Sequence, residues 1–128
     1  AARGATSALD GVAAALPALM RAEKLQKRAA RAGFDWPDPA GPEEKVREEL
    51  DELAAADEAK RVEEAGDLLF AAVNLVRAYG IAPEDALRAA NAKFERRFRA
   101  MEDLAGGNFA SLALDEQESL WQRVKAEE

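Results

Sequence analysis

The stretch EEAGDLLFAAV, at positions 63–73, decides the fold of this 128-residue chain. Glu64 and Asp67 stand at its entrance, and beyond Asp67 the chain is apolar up to Asn74. Apolar residues on nearly every side are typical of a helix that other helices enclose. We therefore predict a central, buried helix from about Arg61 to Ala78.

The remainder of the chain has the same helical period. Alanine is abundant, β-branched residues are scarce, and no stretch alternates apolar and polar residues over the length of a strand. We expect an all-α fold in a single domain, residues 1–128, with a bundle of four main helices and a short C-terminal helix. The first helix is predicted at about 17–32, the second begins near Pro42, and the fourth covers about 83–105. The last helix is expected to start at Asp115 as its cap, with Glu118 as the acid three residues later.

The composition argues against several kinds of site. The chain has no Cys and no His, which removes thiolate zinc sites, cysteine nucleophiles and the usual neutral-pH base. Its net charge of −7, without a basic stripe carrying aromatics, disfavours nucleic acid as a partner. No apolar run approaches bilayer length and no secretory signal pattern is present, so we expect a cytoplasmic protein without a membrane partner. The first residue, Ala1 rather than Met, is typical of a processed or excised piece of a longer protein.

Two acidic pairs are candidates for a metal site, Glu49 with Glu52 and Glu64 with Asp67. The members of each pair are three residues apart, about 60° around a helix axis, so each pair faces one way. If the second and third helices pack antiparallel, four carboxylates converge on one or more hard cations. Because His and Cys are absent, oxygen ligation favours Mg²⁺, with Mn²⁺ as the alternative.

The alternative for either acidic pair is an ordinary solvated helix face, since charged residues are common in this chain. Gly66 favours a site, because a glycine inside a helix is most easily explained by the close approach of a neighbour or ligand. A di-iron bundle would need a Glu-x-x-His motif, which a chain without His cannot provide.

A basic group on the fourth helix is a candidate for phosphate binding. Lys93 and Arg97 are four residues apart, and Asn91 lies near the opposite edge of the apolar stripe. Two cations at this spacing can grip phosphate oxygens that metal ions bridge from the other side. The alternative is a solvated face in which the cations of this helix pair with Glu95 and Glu102; these cations are Lys93, Arg96, Arg97 and Arg99.

Two tryptophans are candidates for the same site. Trp121 precedes Lys125 by four residues, and Trp36 lies in the Pro-rich connector after the first helix. Each would supply an aromatic plate, although a Trp in a short helix more often docks that helix onto the core.

Five blocks of sequence occur in a characteristic order: LPALMRA at 16–22, GFDW at 33–36, KV at 45–46 with EELDE at 48–52, EEAGDLLF at 63–70, and NAKFERRF at 91–98. In this order they resemble the MazG-type nucleoside triphosphate pyrophosphohydrolases, specifically the catalytic C-terminal domain of members with two such domains. The resemblance runs from about Leu9 to Lys125. The gap between Glu52 and Glu64 is a little shorter than is usual for the family.

The resemblance implies an all-α fold related to the dimeric dUTPases, assembly as a homodimer or higher homo-oligomer, and hydrolase activity. The implied reaction is Mg²⁺-dependent cleavage of a ribo- or deoxyribonucleoside triphosphate between its α and β phosphates, giving the monophosphate and pyrophosphate. The functional positions of the family fall on Glu48, Glu49, Glu52, Glu64, Asp67, Lys93, Arg97, Trp121 and Lys125.

In the mechanism that we infer, four carboxylates hold Mg²⁺ and one acid of the cluster accepts the proton of the attacking water. Glu52 is the first candidate for this base, and Glu48 or Glu49 is the alternative. Lys93 and Arg97 would neutralise the charge that develops on the leaving pyrophosphate.

The nucleobase is expected in a mostly apolar slot near Trp36 or Trp121, with broad base selectivity and a housekeeping role in the nucleotide pool. The rival function is a non-enzymatic helical oligomerisation or interaction module whose acids merely lie at the surface. In either case the third and fourth helices carry more apolar surface than one small bundle covers, which favours a dimer.

Overall fold

The computed structural model describes residues 7–128. Within this range the fold is all-α, as expected, and no strand is present. The α-helices are α1 (Ala18–Arg31), α2 (Ala40–Ala55), α3 (Arg61–Ala78), α4 (Pro83–Ala105) and α5 (Leu114–Ala126). Two short 3-10 helices lie at Glu58–Lys60 and Phe109–Ser111.

Helix α3 begins and ends at the residues that the sequence predicted, and so does α4. Pro83 opens α4, where its fixed φ is compatible with the first turn, and Gly80 ends the preceding helix with a φ of 76°. Because these signals are local, the limits of both helices can be read from the sequence.

The predicted start of α5 was wrong. The helix begins at Leu114, and the Glu116 carboxylate accepts a hydrogen bond of 2.9 Å from the backbone N–H of Ala113. Asp115 lies inside the first turn, where its Oδ1 accepts from the N–H of Glu116. Glu116 therefore makes the contact with the residue before the helix, and the acids of this turn face the positive end of the helix dipole.

The chain divides into two compact units, the first ending at Ala86 and the second covering Leu87–Glu128. In the first unit α3 packs against both α1 and α2. Only five residues connect α2 to α3, so α3 returns along α2. This arrangement brings together acidic residues that come from opposite sides of the connection.

Helix α3 is less enclosed than the sequence suggested. Ala71 and Val73 are buried, but Leu69 is 60% exposed and Phe70 is 48% exposed. Helix α3 is central, as predicted, because it packs against both α1 and α2, but among the described residues its apolar surface is only partly covered. The apolar surface that remains open agrees with the expectation of more apolar surface than one copy covers.

The second unit is organised by aromatic residues. The rings of Phe94 and Trp121 lie 6.0 Å apart, and those of Phe98 and Phe109 lie 5.0 Å apart at 71°. Centroid distances in this range are favourable for aromatic pairs. These contacts join α4, the second 3-10 helix and α5 within the unit.

Over residues 7–128 no single helix combines the length and apolarity that a bilayer crossing requires; Glu58–Ala78 and Pro83–Ala105 meet that criterion only when taken as a pair, by length and composition alone.

Candidate functional site

Three carboxylates of the first unit form a close group. Oxygens of Glu49, Glu64 and Asp67 all lie within 4.8 Å of one another. Glu49 comes from the middle of α2, and the other two come from the first turns of α3. The acid spacing predicted that four carboxylates from α2 and α3 converge, and three of the four do so.

Two of these carboxylates carry a buried oxygen without a hydrogen-bond partner. Glu49 is only 4% exposed, and its Oε2 has no partner, while its Oε1 lies 3.3 Å from the Nζ of Lys45. Oε2 of Glu64 is likewise buried and unpaired. Leaving a carboxylate oxygen buried without a partner is costly, and a cation removes that cost. The donor set, three carboxylates without nitrogen or sulfur, fits a hard divalent cation.

Electrostatics agree with this geometry. Burial raises the pKa of Glu64, and the neighbouring carboxylates of Glu52, Asp67 and Glu49 raise it further. Glu52 thus lies close enough to Glu64 to interact with it, although it is not one of the three mutually close acids. A group of carboxylates that repel one another in this way favours a positive ion among them.

Lys45 is a neighbour that the sequence argument gave no role. Its hydrogen bond with Glu49 raises the pKa of the Lys45 ammonium, and Glu48 contributes from 3.8 Å. The four-residue spacing between Lys45 and Glu49 was the signal for this pair. Glu48 itself is exposed, at the outer side of the cluster.

In the second unit Arg97 contacts both a carboxylate and an aromatic ring. Its Nε and one terminal nitrogen each donate a hydrogen bond of 2.7 Å to the carboxylate of Glu128, and its guanidinium lies 5.3 Å from the ring of Trp121. The hydrogen bonds to Glu128 raise the pKa of Arg97, and Arg97 in turn lowers the pKa of Glu128. A guanidinium that grips a carboxylate with two donors has the geometry for phosphate.

The other predicted binding residues of this unit are exposed. Asn91 and Lys93 lie on α4, and Lys125 lies on α5. Lys93 is close enough to Glu128 to lower the pKa of that carboxyl. Of the pairings proposed as the alternative for the α4 cations, the structure shows Glu95 with Arg99 rather than with Lys93 or Arg97. The roles of these residues in binding stay predictions.

Trp36 lies in the first unit and lines a cavity between α1 and α3. Gly41, near the start of α2, faces the indole, and a Cβ at this position would lie only 2.7 Å from Cδ2 of Trp36. No neighbouring residue makes the close approach that was expected at Gly66, because none of the described residues lies within 4 Å of a Cβ built there; a close approach of this kind is found at Gly41. The approach of a ligand to Gly66 stays a prediction.

These features define an all-α protein with a carboxylate cluster suited to a hard cation. Comparison with known families assigns the chain to a class: a family model described as Phosphoribosyl-ATP pyrophosphohydrolase matches residues 19–94, more than half of the chain. The chain belongs to the MazG-like pyrophosphohydrolase family that this model covers.

Individual relatives support the same assignment. The chain is 49% identical over 131 residues to a nucleoside triphosphate pyrophosphohydrolase of Escherichia coli K12, covering 95% of this chain and 50% of that protein. It is 43% identical over 114 residues to the nucleoside triphosphate pyrophosphohydrolase/pyrophosphatase MazG of Thermotoga maritima, covering 86% of this chain and 45% of the relative. The chain therefore spans about half the length of these two relatives.

Proposed function

We propose that this chain is a metal-dependent hydrolase that cleaves nucleoside triphosphates, ribo or deoxyribo, between the α and β phosphates. The observation that carries the proposal is the pair of buried, unpaired oxygens on Glu49 and Glu64, within a group of three converging carboxylates. The names of the Escherichia coli and Thermotoga maritima relatives support the substrate class. The products would be a nucleoside monophosphate and pyrophosphate.

Glu49, Glu64 and Asp67, with Glu52 beside them, are the residues that would hold Mg²⁺, or Mn²⁺ as the alternative. Mg²⁺, when bound, supplies positive charge that polarises phosphate groups and makes water more acidic. Glu52 is exposed and belongs to the same acidic neighbourhood, so it is our first candidate for the group that accepts the proton of water. Glu48 is the second candidate.

Lys93 and Arg97 would bind the phosphate oxygens and neutralise the charge that develops as pyrophosphate leaves. The two-donor grip of Arg97 on the Glu128 carboxylate supports this role, because a carboxylate presents two oxygens as a phosphate does. Asn91, Trp121 and Lys125 are proposed to complete the substrate contacts. A broad choice of bases, a housekeeping role in the nucleotide pool and a cytoplasmic location stay part of the proposal.

Hydrolysis tests the proposal directly. The chain is incubated with each common ribo- and deoxyribonucleoside triphosphate, first with Mg²⁺ and then with EDTA, and the monophosphate and pyrophosphate are quantified. We expect release in Mg²⁺ and none in EDTA. If no nucleotide yields a monophosphate in a metal-dependent manner, the chain is not the proposed hydrolase.

Glu52→Gln tests the assignment of the base, and Asp51→Asn, at the adjacent exposed position, is the matched control. Loss of a general base typically lowers the rate by about 10²–10⁴-fold. We expect such a loss for Glu52→Gln and wild-type turnover for Asp51→Asn. Wild-type turnover by Glu52→Gln would remove this residue from the reaction.

The second candidate function is the helical interaction module. The exposed apolar residues of α3, among them Val62 at 86% and Leu69 at 60%, favour an interface between two copies, which a homodimeric enzyme would also use. Light scattering after size-exclusion chromatography measures the mass of the assembly. A dimer without hydrolysis would favour the module, and a monomer would contradict the proposed homodimer.

A further inference from the structure

A recess of about 370 Å³ lies within the first unit, between α1 and the segment that precedes it, residues 7–17. The preceding segment supplies one wall, which is mostly apolar. The other wall belongs to α1 and carries four cationic side chains, those of Lys24, Lys27, Arg28 and Arg31. This concentration of positive charge occurs in a chain whose net charge is −7. A recess lined by one sign of charge concentrates ions of the opposite sign, so its lining favours an anionic ligand.

The recess lies on the side of α1 that faces away from α3. Gln26 marks the buried side of α1, because it is 7% exposed and donates a hydrogen bond of 3.0 Å to the backbone carbonyl of Phe70 on α3. Lys24 and Arg28 lie about 160° around the helix axis from Gln26. Among the described residues, the lining of the recess shares no member with the acidic cluster or with the cavity between α1 and α3. The recess is therefore separate from both.

Two arginines of α1 hold the facing wall through its backbone. A terminal nitrogen of Arg28 donates a hydrogen bond of 2.6 Å to the carbonyl of Asp10 and one of 3.4 Å to that of Ala8. Nε of Arg21 donates to the carbonyl of Ala13 at 3.2 Å. A backbone carbonyl is a neutral acceptor, so these contacts shape the recess without neutralising the charge of either guanidinium.

The cations of the recess outnumber the carboxylates beside it. Nζ of Lys27 lies 3.2 Å from a carboxylate oxygen of Glu23. Asp10 also lies nearby, and its Oδ2 accepts a hydrogen bond of 3.2 Å from a backbone N–H of the same segment. Within residues 7–128 the side chains of Lys24 and Arg31 make no ion pair or hydrogen bond. The charge of these two cations is therefore open to a ligand.

An ordinary solvated face accounts for only part of this cluster. Arg28 and Arg31 lie in the last turn of α1, where cations are stabilised by the negative end of the helix dipole. Lys24 and Lys27 lie earlier in the helix, beyond the reach of that effect. A solvated face also needs no second wall opposite its cations, whereas this face has one.

We propose that the recess is a binding site for a ligand that carries two or more linked phosphate groups. Lys24, Arg28 and Arg31 present three cations along about 10 Å of helix. Linked phosphates reach all three more readily than a single phosphate does, and guanidinium groups pair well with phosphate oxygens. Free pyrophosphate and the phosphate tail of a nucleotide share this chemistry. The site is independent of the hydrolysis proposed for the acidic cluster.

Binding is tested in EDTA, so that no metal ion recruits phosphate to the acidic cluster. Pyrophosphate is titrated into the wild type and into the double variant Lys24→Gln/Arg31→Gln, and the backbone amide signals are followed by NMR. The matched control is Arg47→Gln/Arg123→Gln. It removes the same charge from two exposed cations that each pair with a carboxylate four residues away.

In the wild type we expect saturable shifts of the amide signals of Gly11 and of residues 24–31. The dissociation constant obtained from these signals should rise roughly tenfold in the double variant, because two cations are lost, and should stay unchanged in the control. An equal dissociation constant in the double variant and the control would overturn the proposal. The wild type alone is also decisive: if pyrophosphate shifts only signals of α4 and α5, the recess is not a phosphate site.

Further titrations of the wild type identify the source of the phosphates. Inorganic phosphate, pyrophosphate, adenosine diphosphate and adenosine triphosphate are compared at the Gly11 signal. Tighter binding of the nucleotides than of pyrophosphate would assign the recess to a nucleotide tail, and the reverse order would assign it to free pyrophosphate. Inorganic phosphate that binds as tightly as pyrophosphate would overturn the requirement for linked phosphates.

Discussion

The indole of Trp36 packs on Gly41 so closely that a side chain at position 41 would overlap the ring, with a Cβ 2.7 Å from Cδ2 and 3.0 Å from Cζ3. Gly41 lies in the first turn of α2, where alanine would otherwise be the better helix former. The helix therefore keeps a glycine that its own stability does not favour. The contact holds Trp36 as one wall of the cavity between α1 and α3.

Gly41→Ala should displace the Trp36 ring. We expect the emission of Trp36 to shift to longer wavelength, because the ring moves towards water, and the free energy of unfolding to fall by about 1–3 kcal/mol, the usual cost of overpacking. The emission is recorded in a Trp121→Phe background, so that only one indole contributes. An unchanged emission spectrum and an unchanged free energy of unfolding would show that the Trp36 ring accommodates the added methyl group without strain.

The acidic cluster leads to a prediction about metal and stability. Glu64→Gln removes one charge from mutually repelling carboxylates, so the metal-free variant should melt at a higher temperature than the wild type. Mg²⁺ should raise the melting temperature of the wild type and hardly change that of the variant, because a ligand is lost. Turnover should fall by about 100-fold or more. Glu63→Gln, at the adjacent exposed position, is the control. If Mg²⁺ raised the melting temperature of Glu64→Gln as much as that of the wild type, Glu64 would be excluded as a metal ligand.

The candidate metal site could be predicted from the sequence because its determinants are local. Helix limits follow from Pro83, Gly80 and the apolar period, and the three-residue spacing fixes which acids share a face. A short connection then brings Glu49 near Glu64. Each of these inferences depends on residues within about two helical turns of one another or on the packing of one pair of helices, α2 and α3.

An apolar slot near Trp36 was one of two alternatives in the sequence argument, but the other residues that line the cavity could not be predicted because they depend on tertiary packing. Gln26 reaches the carbonyl of Phe70, which is 44 residues away, and no local pattern marks Gln26 as a buried acceptor. The expectation of a neighbouring residue at Gly66 was wrong for the same reason. Inside a helical pattern it looks like a site of close approach, whereas the glycine under an aromatic ring is Gly41. The sequence alone does not say which glycine faces a neighbour.

Gly66→Ala should stabilise the protein. The described residues leave open space around Gly66, and it lies in the interior of α3, where glycine is less favourable than alanine. We expect the free energy of unfolding in urea to rise by about 0.5–1 kcal/mol. Gly80→Ala is the contrasting variant. Gly80 has a φ of 76°, which alanine adopts only with strain, so this replacement should lower the free energy of unfolding. A loss of stability in Gly66→Ala would show that a second copy approaches this face.

The ion pair of Asp35 with Arg77 leads to a pH prediction. A hydrogen bond from Arg77 lowers the pKa of Asp35 below its usual 3.8. A carboxyl with a lowered pKa in the folded state contributes stability above the unfolded pKa, and this contribution disappears as the pH falls through the folded pKa. Asp35→Asn should therefore lower the free energy of unfolding at pH 7 by about 0.5–1 kcal/mol, since the carboxyl is partly exposed.

The difference between the wild type and Asp35→Asn should shrink as the pH is lowered below 3.8. Urea unfolding at several pH values measures it, and Asp51→Asn, at an exposed position, serves as the control for loss of one negative charge. A difference that is independent of pH would show that Asp35 acts through packing rather than through its charge.

The guanidinium of Arg97, the residue proposed to bind phosphate, donates two hydrogen bonds of 2.7 Å to the carboxylate of Glu128. A substrate phosphate that binds Arg97 through the same two donors must therefore displace the Glu128 carboxylate. Glu128→Gln weakens this competing contact by removing its charge, so we expect the KM for a nucleoside triphosphate to fall by roughly two- to tenfold with little change in kcat. Glu127→Gln is the matched control, because Glu127 pairs with Arg123 instead. A KM that is the same in both variants as in the wild type would mean that Arg97 does not bind the triphosphate, that it binds it through the donors that Glu128 leaves free, or that Glu128 dissociates readily from Arg97. Arg97→Lys keeps the charge but loses the paired donors. An unchanged KM in this variant would remove Arg97 from the substrate site.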